Sequence, residues 1–234
     1  MASPARYDGK SMVTRMFIWL ARLIVAFVVL SLLAVGLWRF VPVPVTATML
    51  MDANGYTRDW EPLSRIDRNM VSAVIAAEDS KFCEHSGFDT EAIEQALEER
   101  MAGKRERGAS TISQQTAKNV FLWQGGGFFR KGLEAWFTFL IEHLWGKRRI
   151  MEVYLNVAET GIGTYGVAAG AERYFQHSAA KLSESEAARM AAALPSPKKR
   201  AVVNPSGFTR RYGNSIKARI GVVRRDALDA CVYE

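Results

Sequence analysis

The longest uninterrupted apolar stretch, residues 23–38 (LIVAFVVLSLLAVGLW), carries no charge, and extending it back to residue 17 adds only Arg22. As a helix, residues 17–38 would reach roughly 33 Å, enough to cross a hydrocarbon core of about 30 Å. Trp19, Trp38 and Phe40 fall near its two ends, where aromatic belts sit, and Arg22 is close enough to one end to snorkel. The pattern then changes. VPVPVTA at residues 41–47 predicts a short, stiff, extended stalk, because alternating prolines oppose helix. From about Asp67 onward the apolar spacing is mostly helical. Met70, Val71, Val74 and Ile75 mark the buried face of a helix over residues 68–77. Thr90 can cap a helix running to Met101, with Gly103 beyond it, and Ser110 can cap another over residues 111–122. Residues 129–156 give a long helical pattern bent near Gly146. Ser183 to Glu186 is a capping box before AARMAAAL, which Pro195 and Pro197 stop, and a basic helix covers 207–230. No run of alternating strands, internal repeat or low-complexity tract interrupts this. The expectation is an all-α (mainly α) single domain behind one N-terminal transmembrane helix.

Charge orients that arrangement. Arg6, Lys10 and Arg15 precede the apolar span, whereas residues 40–57 contain no Lys or Arg. The asymmetry puts the N-terminus in the cytoplasm and the body of the protein outside it. A cleaved signal peptide is the competing interpretation, with Val45-Thr46-Ala47 as its cleavage site. Its apolar core would be unusually long and the site lies beyond two prolines, so a retained anchor is the expectation. Over 234 residues the net charge is +7, which favours an anionic partner such as acidic headgroups or a phosphorylated substrate. The topology excludes nucleic acid. His85, His143 and His177 are far apart, and Cys83 and Cys231 are not at metal-ligand spacing, so no structural zinc site is expected. Two free thiols are expected, although a Cys83–Cys231 disulfide is open to a domain outside the cytoplasm.

Four stretches carry possible chemistry. In AAEDSKFCEHSGFD (residues 76–89), Glu78 and Asp79 fall where the first soluble helix ends. The negative end of the helix dipole, the like charge of Asp79 and partial burial would each raise the Glu78 pKa toward the range of a general base or acid. A solvated acidic turn with Lys81 as partner accounts for the pair equally simply. In GASTISQQTAKN (108–119), Ser110, Thr111, Gln114, Gln115 and Lys118 form one polar stripe starting at a helix N-terminus, suited to sugar hydroxyls and phosphate oxygens. The alternative is a solvated helix face. In RKGLEA (130–135), Arg130 and Glu134 are one turn apart and form either a plain intrahelical pair or, with Lys131, a place for an anionic leaving group beside a second carboxylate. KRRIMEVYLN (147–156) sets cations beside core positions Ile150 and Leu155. Between the second and third stretches, Phe128 and Phe129 follow Gly125-Gly126-Gly127 and precede Arg130 and Lys131. That order suggests a mobile apolar lip entering the outer leaflet, with its cations at headgroup level, or else a loop between two core helices.

In this order the stretches resemble the signatures of the peptidoglycan glycosyltransferases of family 51. Glu78, Asp79, Phe82, His85, Gly87, Phe88 and Asp89 are in register with E-D-x-x-F-x-x-H-x-G-F-D, and residues 108–119 match G-x-S-T-I-x-Q-Q-x-x-K-N without a mismatch. Residues 130–134 and 147–156 are similar to R-K-x-x-E and K-x-x-I-x-E-x-Y-L-N, and GVAAGAERYF at 166–175 to a further block. The resemblance covers about residues 60–200. It implies a lysozyme-like lobe plus a small membrane-facing lobe. The divisions would be a cytoplasmic tail (1–16), transmembrane helix (17–38), periplasmic stalk (39–60) and catalytic domain (61–230). It further implies polymerisation of lipid II into β-1,4-linked glycan with release of undecaprenyl pyrophosphate, with Glu78 as general base and Glu134 as the second essential carboxylate. Asp79, Phe82, His85, Gly87, Ser110, Thr111, Gln114, Gln115, Lys118, Asn119, Arg130 and Lys131 would be the substrate-binding set. Mg2+ or Mn2+ at the pyrophosphate is an open expectation, with no organic cofactor. The partners implied are lipid II, the growing glycan chain, the bilayer of the inner membrane, and other cell-wall synthases and division proteins. Two features depart from the family. Cys83 stands where a bulky residue is common, and the transpeptidase module is missing: Ser178-x-x-Lys181 and Ser196-x-x-Lys199 have its nucleophile spacing, but no K-T-G follows. A lytic glycosidase acting on finished wall and a non-enzymatic scaffold are the alternative functions. The Gln-Gln…Lys stripe and the Arg-Lys pair favour a phosphate-bearing donor over the former.

Overall fold

The computed structural model of the chain describes residues 12–103 and 108–233; Arg6 and Lys10, which bear on the predicted orientation, lie outside them. The apolar run is a single helix, α1 (Met12–Phe40), long and apolar enough to cross a membrane. Only Ser31 and Val35 on it are buried; Ile18, Val28 and Trp38 are half-buried, and most of its other large side chains are exposed. The prolines keep residues 42–46 out of helix, as expected, before the short α2 (Ala47–Leu50). This stalk is no free spacer. Val43, Thr46 and Met49 are buried, and Arg149 donates to the carbonyls of Trp38 (2.8 Å) and Val41 (2.6 Å), locking the stalk onto the domain.

The centre of the domain is α3 (Arg68–Glu78), started by Asp67, whose carboxylate accepts from the Asn69 N–H at 2.8 Å. Seven consecutive residues, Met70–Ala76, are buried, so the helix is enclosed on every side. Against one side pack α9 (Glu184–Ala193) and α10 (Gly207–Arg225), which also pack on each other. The alanines of α9 permit this close approach; Gly213 of α10 lies beside the Ala188 carbonyl and the Ala192 methyl. The second half is built from α5 (Ile112–Phe121), packed against both α6 (Gly127–Leu144) and α7 (Lys147–Val157). A small sheet of β1 (Thr57–Arg58), β2 (Glu159–Gly161) and β3 (Thr164–Tyr165) closes one end beside α8 (Val167–Phe175). In it β3 is central, parallel to β1 and antiparallel to β2. The mainly α architecture is as predicted, with these three short strands as the addition.

Several boundaries differ from the periodicity, each for a local reason. The long pattern at 129–156 is two helices, broken where Gly146 takes φ +76°. α4 (Thr90–Met101) is capped by Asp89, not Thr90, and α5 by Thr111, not Ser110, because those are the side chains that accept the first-turn N–H groups. The basic C-terminal helix stops at Arg225. There Ala227 enters the left-handed region and the Leu228 N–H returns to the Val223 carbonyl at 2.9 Å, the closure of a Schellman turn. The chain then doubles back into α11 (Ala230–Tyr233). This return brings Cys231 to Cys83, with Cα atoms 5.5 Å apart, and the two form a disulfide rather than the expected free thiols. Their separation of 148 residues is why spacing alone could not pair them.

α6 runs along α1. Phe27 of α1 meets Trp136 and Phe137 with ring centroids 6.1 and 6.4 Å apart, and the Trp145 indole donates to the Val35 carbonyl at 2.8 Å.

Candidate active site

Glu78 is the last residue of α3, so its position is inherited from a helix with seven consecutive buried residues. Its Oε2 accepts from the Gln115 amide at 2.9 Å, while Oε1, equally sheltered from water, has no partner. Burial pushes the Glu78 carboxyl above its ordinary value. The Gln115 hydrogen bond and the positive charges of Arg200 and Lys118 oppose that rise, and Asp79 adds to it. The amide is itself oriented: its Oε1 accepts from the Tyr154 hydroxyl at 3.3 Å, and burial holds that phenol far above its ordinary pKa, keeping it a donor.

Asp79, next in sequence, faces the other way. Its carboxylate takes His85 Nε2 at 2.9 and 3.0 Å and the Ile112 N–H, at the start of α5, at 3.0 Å. A carboxylate on a helix N-terminus joins the turn after α3 to α5. Thr111 completes the joint, donating to the Gly87 carbonyl at 2.7 Å while forming a reciprocal capping box with Gln114. Gly87 sits at φ +96°, and a Cβ there would stand 2.8 Å from Thr138 Cγ2 and 2.9 Å from Glu142 Cγ, so only glycine fits. Phe82 is fully enclosed beneath the Lys147 ammonium, 4.6 Å from its ring, and Lys147 also bonds the His85 carbonyl at 2.7 Å. The expected substrate-binding set therefore divides. Phe82, His85, Gly87 and Gln114 are turned into the protein, with their polar atoms held by protein partners, and they hold the site together rather than line it. Asp79 and Thr111 have the same holding role, although both also border a cavity of about 140 Å³ with Glu78 and the exposed Ser110.

Gln115, Lys118 and Asn119 stay on the open side of α5 and line a second cavity of about 420 Å³. Burial lowers the Lys118 pKa; the negative charges of Glu134 and Glu78 pull it back up, and Arg130 and Lys131 push it further down. Lys118 is thus within electrostatic reach of both carboxylates. Glu134 is 3 % exposed and doubly paired, with Arg130 at 2.5 Å through Oε2 and with Lys131 through Oε1. Arg130 is steadied by a further bond to the Gly125 carbonyl in the glycine turn. All three glycines, 125–127, have positive φ, and Phe128 and Phe129 just beyond them are 97 % and 73 % exposed.

Other side chains reach this region without having been expected. Tyr154 lies inside KRRIMEVYLN, where its motif was the available signal. Arg200 and Lys198 follow Pro197, where only a run of cations marked them. Arg200 donates to the Ala192 carbonyl at 2.8 Å and lies over the rings of Phe208 and Tyr212, and Tyr212 donates to the Ala77 carbonyl at 2.7 Å, immediately before Glu78. The wall opposite Lys118 includes Asp52 of the stalk, held well below the usual carboxylate range by the Asn54 N–H and by Lys198, with Tyr165 also donating at 2.8 Å. Nothing in the sequence pointed to Asp52.

The arrangement offers one sheltered, proton-hungry carboxylate, a lysine between two acids, and a paired acid–cation cluster bordering an exposed apolar turn. Comparison with known proteins agrees with that chemistry. The transglycosylase family pattern matches residues 46–220. A protein of Caulobacter vibrioides named biosynthetic peptidoglycan transglycosylase is 53 % identical over 202 residues, covering 85 % of this chain and 88 % of the relative. Proteins of the same name from Rhodospirillum centenum and Shewanella oneidensis are each 46 % identical. The first covers 96 % of this chain and 99 % of the relative, the second 89 % and 92 %.

Proposed function

The chain belongs to the transglycosylase family, and from that membership we propose that it polymerises lipid II as a monofunctional peptidoglycan glycosyltransferase. The observation that carries the mechanism is the free, buried Oε1 of Glu78 beside Lys118. In the proposed step Glu78 takes the proton from the acceptor sugar's 4-hydroxyl as that oxygen attacks the anomeric carbon of the donor. The new β-1,4 bond forms as the bond to the α-linked pyrophosphate breaks, and the electron pair leaves with the phosphate. No covalent enzyme intermediate is needed, only a base and a stabilised leaving group. Lys118, Arg130 and Lys131 supply positive charge for the departing pyrophosphate, and Glu134 holds Arg130 and Lys131 in place through its two contacts. Ser110 and Asn119 are the polar groups left to meet sugar, Gln115 being engaged by Glu78 and Tyr154.

A divalent ion at the pyrophosphate is poorly matched by the protein's own donors. Among the described residues no three His, Cys, Asp or Glu side chains group to hold one, and both oxygens of Glu134 are already on cations. No step is therefore routed through a metal. For location, we propose a single-pass anchor in the inner membrane with the N-terminus cytoplasmic and the catalytic domain periplasmic. The Cys83–Cys231 disulfide supports an oxidising compartment for the domain. Phe128 and Phe129 would enter the outer leaflet, Arg130 and Lys131 remaining near the headgroups. Incubating the purified full chain with labelled lipid II and sizing the product tests the proposal. Polymer with equimolar release of undecaprenyl pyrophosphate is expected, with and without chelator; failure to extend glycan in either condition would overturn it.

A further inference from the structure

The C-terminal return, residues 226–233, is tied to both flanks of Glu78. Ahead of it on α3, Asp229, fully buried, takes Arg68 through two bonds (Nε at 2.9 Å, Nη2 at 2.7 Å) and the Ser72 hydroxyl at 3.2 Å. Arg68 and Ser72 are one turn apart on the same face, so Asp229 grips the helix rather than a single side chain. Behind Glu78, Cys231 is bonded to Cys83, in the turn that also carries Asp79 and His85. The segment has footholds of its own: Val232 is fully buried, its carbonyl accepts from Arg148 of α7 at 3.0 Å, and the Tyr233 ring lies 4.9 Å from the Arg68 guanidinium. Glu78 is therefore the midpoint of a span whose two ends are held by residues 229 and 231, two positions apart. Nothing in the proton transfer uses Asp229, Cys83 or Cys231.

We propose that the Cys83–Cys231 disulfide and Asp229 form a positioning brace for Glu78, so that turnover depends on this bond being closed while substrate binding does not. This rests on Glu78 being the base. Lys118, Arg130 and Lys131 are carried by α5 and α6, which the brace does not touch, whereas the turn from Asp79 to His85 shifts relative to α3 once Cys83 is released. Small displacements of a proton-accepting group cost rate rather than affinity.

The test compares the full-length wild type with the Cys83→Ala/Cys231→Ala variant in lipid II polymerisation. Both are assayed at a temperature where circular dichroism shows each fully folded. A kcat about ten-fold lower with KM within about two-fold is expected. Treating folded wild type with dithiothreitol should reproduce the loss: two electrons and two protons pass to the protein, giving two thiols, as the reagent closes to its cyclic disulfide. Reoxidation should restore the rate. A folded variant, or folded reduced enzyme, with kcat within about two-fold of wild type overturns the brace. So does activity lost only in step with the dichroism signal, which would make the bond a folding staple. Glu78→Gln, run alongside, separates the two ideas: if it polymerises normally the base assignment fails, and if it is dead while the cysteine variant is normal only the brace fails.

Discussion

Glu78 and Glu134 are both sheltered carboxylates that act on Lys118, and they live in opposite electrostatic regions. Glu78 stands at the end of a fully enclosed helix with a neutral amide on one oxygen and nothing on the other. Glu134 stands on α6, which lies along α1, with a cation in contact with each oxygen. Burial without a contacting cation favours the protonated form and leaves a carboxylate ready to accept a proton. Burial with two cations gives a charge-matched cluster that can present Arg130 and Lys131 to an anion at fixed spacing. In the proposed displacement, two copies of one residue type would serve its two halves, the attacking hydroxyl and the leaving phosphate.

The comparison is broken most directly by neutralising each acid in turn. Glu78→Gln removes the base and should lower kcat by about 10²–10⁴-fold while lipid-substrate binding survives, measured by polymerisation and by a separate binding assay. Glu134→Gln should cost less, about 10²-fold, because it loosens the cations that stabilise the leaving group without removing them. A larger loss from Glu134→Gln than from Glu78→Gln would reverse the assignment of the two roles.

A subtler change sharpens the contrast through pH. Glu78 must be ionised to accept a proton, so the rate rises as pH climbs through its elevated pKa, and the acid limb of kcat/KM lies above the ordinary glutamate range. Gln115 donates to the ionised form and favours it, against burial. Gln115→Leu removes that lowering influence and should move the acid limb to higher pH, with the rate at neutral pH down a few-fold. Asp79, Lys118, Arg200, Tyr154 and Tyr212 also act on or feel this carboxylate and are left in place by the change. An unmoved limb would mean that another group sets it.

What the sequence made legible follows from how local each signal was. The position of Glu78 at a helix end was readable from four apolar residues. Partial burial was among the expected causes of its perturbation, but that it dominates was not readable, because enclosure of α3 by α9 and α10, more than a hundred residues away, cannot be seen in periodicity. Asp79 looked like a repulsive neighbour; the structure commits its charge to His85 and the start of α5, contacts that no spacing rule connects. Ile93, Leu97 and Met101, spaced like a core stripe on α4, are all exposed, and that helix buries no residue. The same apolar spacing serves a core or an exposed face, and only tertiary packing distinguishes them. Tyr154 and Arg200 reached the site from other helices and loops, and the disulfide closed over a separation that composition alone leaves undetermined.

The smallest expected effect probes the redundancy inside the cation cluster. Arg130 and Lys131 both contact Glu134, but they are not equivalent. The Arg130 side chain is 16 % exposed and also bonded to the Gly125 carbonyl, whereas Lys131 is 47 % exposed and has Glu134 as its named partner. A half-exposed lysine pair is screened by solvent and salt, so Lys131→Ala should change stability by no more than about 1 kcal/mol. Glu134 keeps Arg130 on its Oε2, and Arg130 keeps its bond to the Gly125 carbonyl, so the turn keeps its shape. What is lost is one half-exposed positive charge, in surroundings where the Debye length is about 8 Å at physiological salt. Raised KM for lipid II by about two- to three-fold with kcat nearly unchanged is the expectation, and the salt dependence of KM should flatten relative to wild type. A loss in kcat as large as that of Glu134→Gln would instead show that both cations act on the leaving group as one unit, and the cluster would then have to be treated as inseparable.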